Sequence, residues 1–125
     1  MPTDLAPFEL IETEPGNFSL VLIEFDPARE VFAEAGIEGG GYAWEIVARH
    51  VVKTDKVELE DRVDFDPEAS MFCAYSHDRD ALAALGARLA QLFHRRRELA
   101  KVIEAGHRLG RLRFLSSPTR TRPRL

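Results

Sequence analysis

The sequence predicts an α+β domain: an antiparallel sheet of about four strands in two hairpins, with helices packed against it, in the order β-β-α-α-β-β-α(α). Three observations lead there. A chain of 125 residues, 45% hydrophobic and 30% charged, has the length and balance of one globular domain. Two pairs of short apolar segments are each interrupted by turn-forming residues, Pro15-Gly16-Asn17 and Asp66-Pro67-Glu68-Ala69. Between and after those pairs, apolar residues recur at helical spacing. Strand pairs and helices grouped in this way give an antiparallel sheet rather than a parallel one.

Phe8 to Glu12 reads as the first strand, and the turn at Pro15-Gly16-Asn17 leads into a second from Phe18 to Phe25. Phe18, Leu20 and Leu22 alternate with Val21, Ile23 and Phe25, so both faces are apolar. Such a strand is expected in the middle of its sheet or covered on both sides. Asp26-Pro27 starts a helix, with Asp26 as the cap and proline at the first helical position. Val31, Phe32 and Ala35 form its buried face, and Gly36 stops it. Gly39-Gly40-Gly41 reads as a flexible bend. It opens into a second helix in which Trp44, Val47, Ala48, Val51 and Val52 fall at i, i+3, i+4, i+7 and i+8. Lys56 to Asp61 is polar and ambiguous. Arg62 to Asp66 alternates, with Val63 and Phe65 opposite Asp64 and Asp66, and Met71 to Ser76 supplies its partner strand. Asp78 caps a third helix with a stripe of Leu82, Leu85, Leu89, Leu92 and Phe93. That helix either breaks at His94-Arg95-Arg96-Arg97 or runs on through Leu99, Val102 and Ile103 to stop at Gly106. Residues 1–106 are therefore expected to be a single domain, and the basic segment 107–125, with prolines at 118 and 123, a disordered tail.

Charge is distributed unevenly. The net of −4 combines residues 1–94, with 7 basic and 19 acidic side chains, and residues 95–125, with 10 basic and 2 acidic ones. An acidic body of net −12 repels phosphates and attracts basic proteins, which disfavours nucleic acid as a partner. No apolar run approaches the roughly 18 residues of a membrane span. The first residues show no basic segment followed by an apolar one, and Cys73 is the single cysteine, so no disulfide forms within the chain. These features make a cytoplasmic protein the expectation.

Each candidate site has a bland alternative. Gly39-Gly40-Gly41 would suit a phosphate cradle, but it lacks the lysine and hydroxyl of a P-loop and follows a helix, so a tight turn is favoured. Asp64, Asp66 and Glu68 alternate as carboxylates around a hard cation would, yet Pro67 interrupts the strand, and a solvated edge explains the same charges. The four histidines, His50, His77, His94 and His107, have no metal-ligand spacing. Cys73, near His77, sits in an apolar strand and reads as core rather than nucleophile. No catalytic residue, metal or cofactor is expected. Tyr42 is the most informative position: it lies at the glycine bend beside Glu38 and Glu45, and an aromatic among carboxylates suits a basic partner. A tyrosine closing the edge of the core is the alternative.

Gly39-Gly40-Gly41-Tyr42-Ala43-Trp44, followed by Phe65-Asp66-Pro67-Glu68-Ala69-Ser70-Met71-Phe72, resembles the immunity protein 51 family, as does the opening from Phe8-Glu9-Leu10 into the strand after it. The resemblance spans about residues 8–105. Gly39, Gly41, Trp44, Pro67 and Phe72 carry its structural pattern, whereas Gly40 and Ala43 stand where the family more often has Asn and Asp. Members of the family are small bacterial proteins that protect a producing cell from a secreted polymorphic toxin. The resemblance therefore implies a non-catalytic inhibitor whose partner is a cognate toxin domain. Glu38, Tyr42, Glu45, Asp64, Asp66 and Glu68 are the candidate contact residues. A general α+β interaction or regulatory module with no toxin partner is the alternative, and a small enzyme using Cys73 or paired carboxylates is a third reading.

Overall fold

A computed structural model describes the backbone of residues 5–116 and the side chains of residues 5–106. The chain is an α+β domain, with four strands in one antiparallel sheet and four helices against it among the described residues. Strands β1 (Glu9–Glu14) and β2 (Asn17–Leu22) form the first hairpin, and β3 (Asp64–Phe65) and β4 (Phe72–Ser76) form the second. β2 and β4 pair antiparallel and join the hairpins, giving the order β1-β2-β4-β3. Helices α1 (Asp26–Glu34) and α2 (Gly41–Thr54) follow the first hairpin, and α3 (Arg79–His94) and α4 (Arg96–Ser116) follow the second. No described helix is long and apolar enough to cross a membrane.

Strand alternation sets which residues meet the helices. Leu20 and Leu22 of β2 and Phe72 and Ala74 of β4 are fully buried on one sheet face. They meet α2 and α3, with α4 lying over α1, α2 and α3. Trp44 is the centre of this core. Its ring lies 5.5 Å from Phe8, 5.4 Å from Phe32 and 5.8 Å from Phe93, edge-on to the first two and stacked on the third. Such aromatic contacts add about 0.5–1.5 kcal/mol each beyond area burial. The α2 stripe expected from spacing, Trp44, Val47, Ala48, Val51 and Val52, is buried throughout.

Several boundaries differ from the sequence expectation. The second strand ends at Leu22, and only one of its faces is covered. The chain turns there toward α1, leaving Ile23 66% exposed and folding Phe25 into the core. β2 is nonetheless an inner strand, as its apolar content requires. Phe25, not Asp26, occupies the cap of α1. The Asp26 side chain makes no capping bond and pairs instead with Arg29 at 3.2 Å, while Pro27 lies in the first turn. Lys56 to Asp61 contains a short 3-10 turn, Val57–Leu59, that buries Leu59. The third helix does break, at Arg95, whose extended backbone separates α3 from α4. Gly106 does not stop α4. It is buried where α4 meets α2, where a side chain would press tightly on Ile46 and His50, and the helical backbone continues to Ser116. The segment 107–125, expected as a disordered tail, is thus helical in backbone as far as Ser116. Residues 117–125 lie outside the described residues.

Candidate functional site

The glycine segment is not a flexible bend. Gly40, at the cap of α2, and Gly41, its first residue, are both buried against the turn between β3 and β4. The Gly41 amide donates to the Ala69 carbonyl at 3.1 Å. A Cβ at Gly41 would fall far inside contact with the carbonyl oxygens of Glu68 and Met71, and one at Gly40 would collide with that of Ala69. The turn is closed across its own ends, where Glu68 and Met71 exchange amide-to-carbonyl bonds of 2.7 and 3.1 Å. The two sequence segments that carry the resemblance are therefore one structural unit, a turn seated on a helix N-terminus. Phe65 and Phe72 flank it with ring centres 6.2 Å apart, and the Arg49 guanidinium lies 4.8 Å from the centre of the Phe65 ring.

The six candidate contact residues divide between two faces. Glu38, Tyr42 and Glu45 lie at the start of α2 on the helical side. Tyr42 is 59% exposed, so it does not close the core edge. Glu45 is committed to Arg49 by a 2.7 Å ion pair. Asp64 and Asp66 lie at the sheet, around the face that no described helix covers. Glu68 is in the turn between the two faces, its carbonyl against Gly41 and its side chain exposed. The structure thus brings Asp64 and Asp66 together, and separates them from the Tyr42 group.

The uncovered sheet face holds residues that the sequence reading did not single out. Cross-strand pairing places Ile11, Ser19, Tyr75 and Asp64 in one row and Glu9, Val21 and Cys73 in the next. Ile11 is 41% and Tyr75 44% exposed. A groove of about 470 Å³ runs along this face and its end, with Glu14, Asp61, Asp64, Asp66 and Tyr75 among its walls. Cys73, expected from its apolar strand to be core, is instead half-buried on this open face, because strand alternation turns it away from Phe72 and Ala74. Which of the two faces would stay open had no local signature.

Electrostatics also differ between the two sides. The four strands contain Glu9, Glu12, Glu14 and Asp64 but no lysine or arginine. None of these four, nor Asp61 or Asp66, forms an ion pair among the described residues. On the helical side many acids are paired with bases, although Glu34, Glu38, Glu58 and Asp80 form no ion pair among the described residues. Arg88 of α3 reaches Asp55 at 2.7 Å and Glu98 at 2.8 Å, joining the end of α2 to α4, and Arg96 pairs with Glu30. The hydrogen bond from Arg88 holds the Glu98 carboxyl below its ordinary range. Burial pushes the Cys73 thiol up, with Asp66 and Glu68 adding to the effect and a hydrogen bond with Ser19 opposing it. A raised thiol is a poorer nucleophile at neutral pH. Among the described residues, no three His, Cys, Asp or Glu side chains are grouped to hold a metal ion.

Comparison with curated proteins found no match, and comparison with solved structures found none. The family model for immunity protein 51 matches residues 8–108, which takes in all four strands, the whole of α1, α2 and α3, and the first part of α4. Both halves of the turn-on-helix unit fall within that match, and with most of the chain covered, this protein belongs to the immunity protein 51 family.

Proposed function

We propose that this chain binds a cognate toxin domain and neutralises it by occupying its working surface, protecting the bacterial cell that makes both. The reading rests on one observation above others: the family match runs through the whole packed unit, including the turn locked onto α2, and not through an isolated motif. Charge supports it. A body of net −12 over residues 1–94, with its strand carboxylates in no ion pair among the described residues, attracts a basic protein and accelerates encounter. Inhibition of this kind is stoichiometric and needs no catalytic residue, cofactor or metal. A protein guarding its own cell acts in the cytoplasm, where Cys73 stays reduced. The proposed contacts fall into two groups, Asp64, Asp66 and Glu68 in one and Glu38, Tyr42 and Glu45 in the other, with neither nucleic acid nor membrane as a partner.

The experiment is co-expression with the toxin domain encoded in the adjacent reading frame. Growth should be restored, and the two chains should copurify. Continued killing with no recoverable complex would leave the alternative, an interaction module with no toxin partner.

A further inference from the structure

We infer that the docking surface is the uncovered face of the sheet, and that its occupant is a basic protein surface carrying an apolar contact for Tyr75 and Ile11. The inference rests on the immunity reading and assigns a face to it.

Two independent features mark this face as a docking surface. The first is apolar exposure in a fixed frame. Ile11 on β1 and Tyr75 on β4 stand in one cross-strand row, either side of Ser19 on β2, with antiparallel pairing on both sides. Half-buried Val21 and Cys73 fill the neighbouring row. Pairing already fixes the backbone that carries these side chains, so binding here requires no ordering of a loop. The second is charge left without counter-charge. Glu9, Glu14, Asp61, Asp64 and Asp66 border the apolar patch, and none forms an ion pair among the described residues. Arg62, the arginine that lines the groove, is tied to Asp78 at 3.0 Å. A ring of carboxylates around an apolar centre matches lysines and arginines around an apolar residue on the partner.

At the helical corner Tyr42 is exposed and Glu38 forms no ion pair among the described residues, but the other motif residues are taken up by packing and pairing. The glycines there are consumed by packing against Glu68, Ala69 and Met71, Trp44 is buried, and Glu45 is engaged by Arg49. The resemblance-bearing residues there build the scaffold. The scaffold in turn fixes the β3–β4 hairpin that carries Asp64 and Asp66.

Cys73 is a native reporter for this face. Mass spectrometry would follow maleimide labelling of the wild-type chain, alone and in complex with the adjacent-frame toxin domain. Labelling of Cys73 should slow at least 10-fold in the complex. Affinity should fall at least about 30-fold for Tyr75→Ala, as for a central aromatic anchor. Association of the double variant Asp64→Asn/Asp66→Asn should be slower and less sensitive to salt than that of wild type. Glu34→Gln, on exposed α1 surface, should bind as wild type does. A complex in which Cys73 labels at its free rate, or in which Tyr42→Ala loses affinity while Tyr75→Ala does not, overturns the assignment of the face but leaves the immunity reading intact. A wild-type chain that neither binds nor protects overturns both.

Discussion

Replacing Gly41 by alanine tests the turn-on-helix unit directly. The added methyl has no room: the atoms it meets are the backbone carbonyls of Glu68 and Met71, which cannot rotate away as a side-chain end would. Either the turn lifts from α2 or the helix start retreats. Overpacking a rigid contact costs roughly 1–3 kcal/mol, and the backbone oxygens place this case in the upper half of that range. Separation also weakens the 3.1 Å bond from the Gly41 amide to Ala69, a further loss of about 1 kcal/mol. Helix propensity returns little at the first helical residue. The expected loss is about 3 kcal/mol, and with a urea slope of roughly 1.5 kcal/mol per M the unfolding midpoint should fall by about 2 M. Gly36→Ala is the control. Gly36 has φ +77° and nothing within 4 Å of where the new methyl group would sit, so only the left-handed backbone penalty of about 1–2 kcal/mol applies. An unchanged midpoint for Gly41→Ala, or a loss no larger than that of Gly36→Ala, would refute the close seating of the turn.

Trp44→Ala should cost about 3–5 kcal/mol in thermal or urea unfolding, because it empties the centre of the aromatic cluster. Trp44→Phe should cost far less. The indole Nε1 is buried with no hydrogen-bond partner among the described residues, so losing it recovers part of a desolvation penalty of about 1–3 kcal/mol. The Arg88 network makes stability depend on acid. The Glu98 pKa is depressed, so its contribution is complete above the ordinary glutamate value of 4.5 and is lost as pH falls through the lower folded value. Arg88→Gln should flatten the dependence of the urea midpoint on pH in that acidic window, and an unchanged slope would mean the network is not formed. The free protein's Cys73 should react with maleimide more slowly than a small thiol at pH 8, since burial raises its pKa, and should reach the small-thiol rate in denaturant. A rate above that of the small thiol would revive the nucleophile.

Local periodicity made most of the fold legible. Alternation at Val63 and Phe65 and the helical stripe from Trp44 to Val52 depend on neighbours within a few residues, and both are present in the structure. Contacts between distant segments left a weaker mark. Three consecutive glycines read locally as freedom, whereas two of them are small because a turn more than twenty residues away rests on them. The same blindness hid the site's division. Glu38, Tyr42 and Glu45 follow one another around the start of α2, and Asp64, Asp66 and Glu68 alternate along one segment. Only the sheet order places the first group on the helical side and Asp64 and Asp66 at the open face. Phe18 to Phe25 misled in another way. Its second apolar row divides among half-covered Val21, exposed Ile23 and a Phe25 that turns inward, so it does not line a second core.

The central claim, neutralisation by binding, is tested most directly by titrating the purified chain into the adjacent-frame toxin domain while following the toxin's own activity. Activity should fall linearly and vanish at equimolar chain, with the masses of both proteins unchanged. Complete inhibition at a small fraction of that amount, a covalent change in the toxin, or full activity in the presence of excess chain would contradict it.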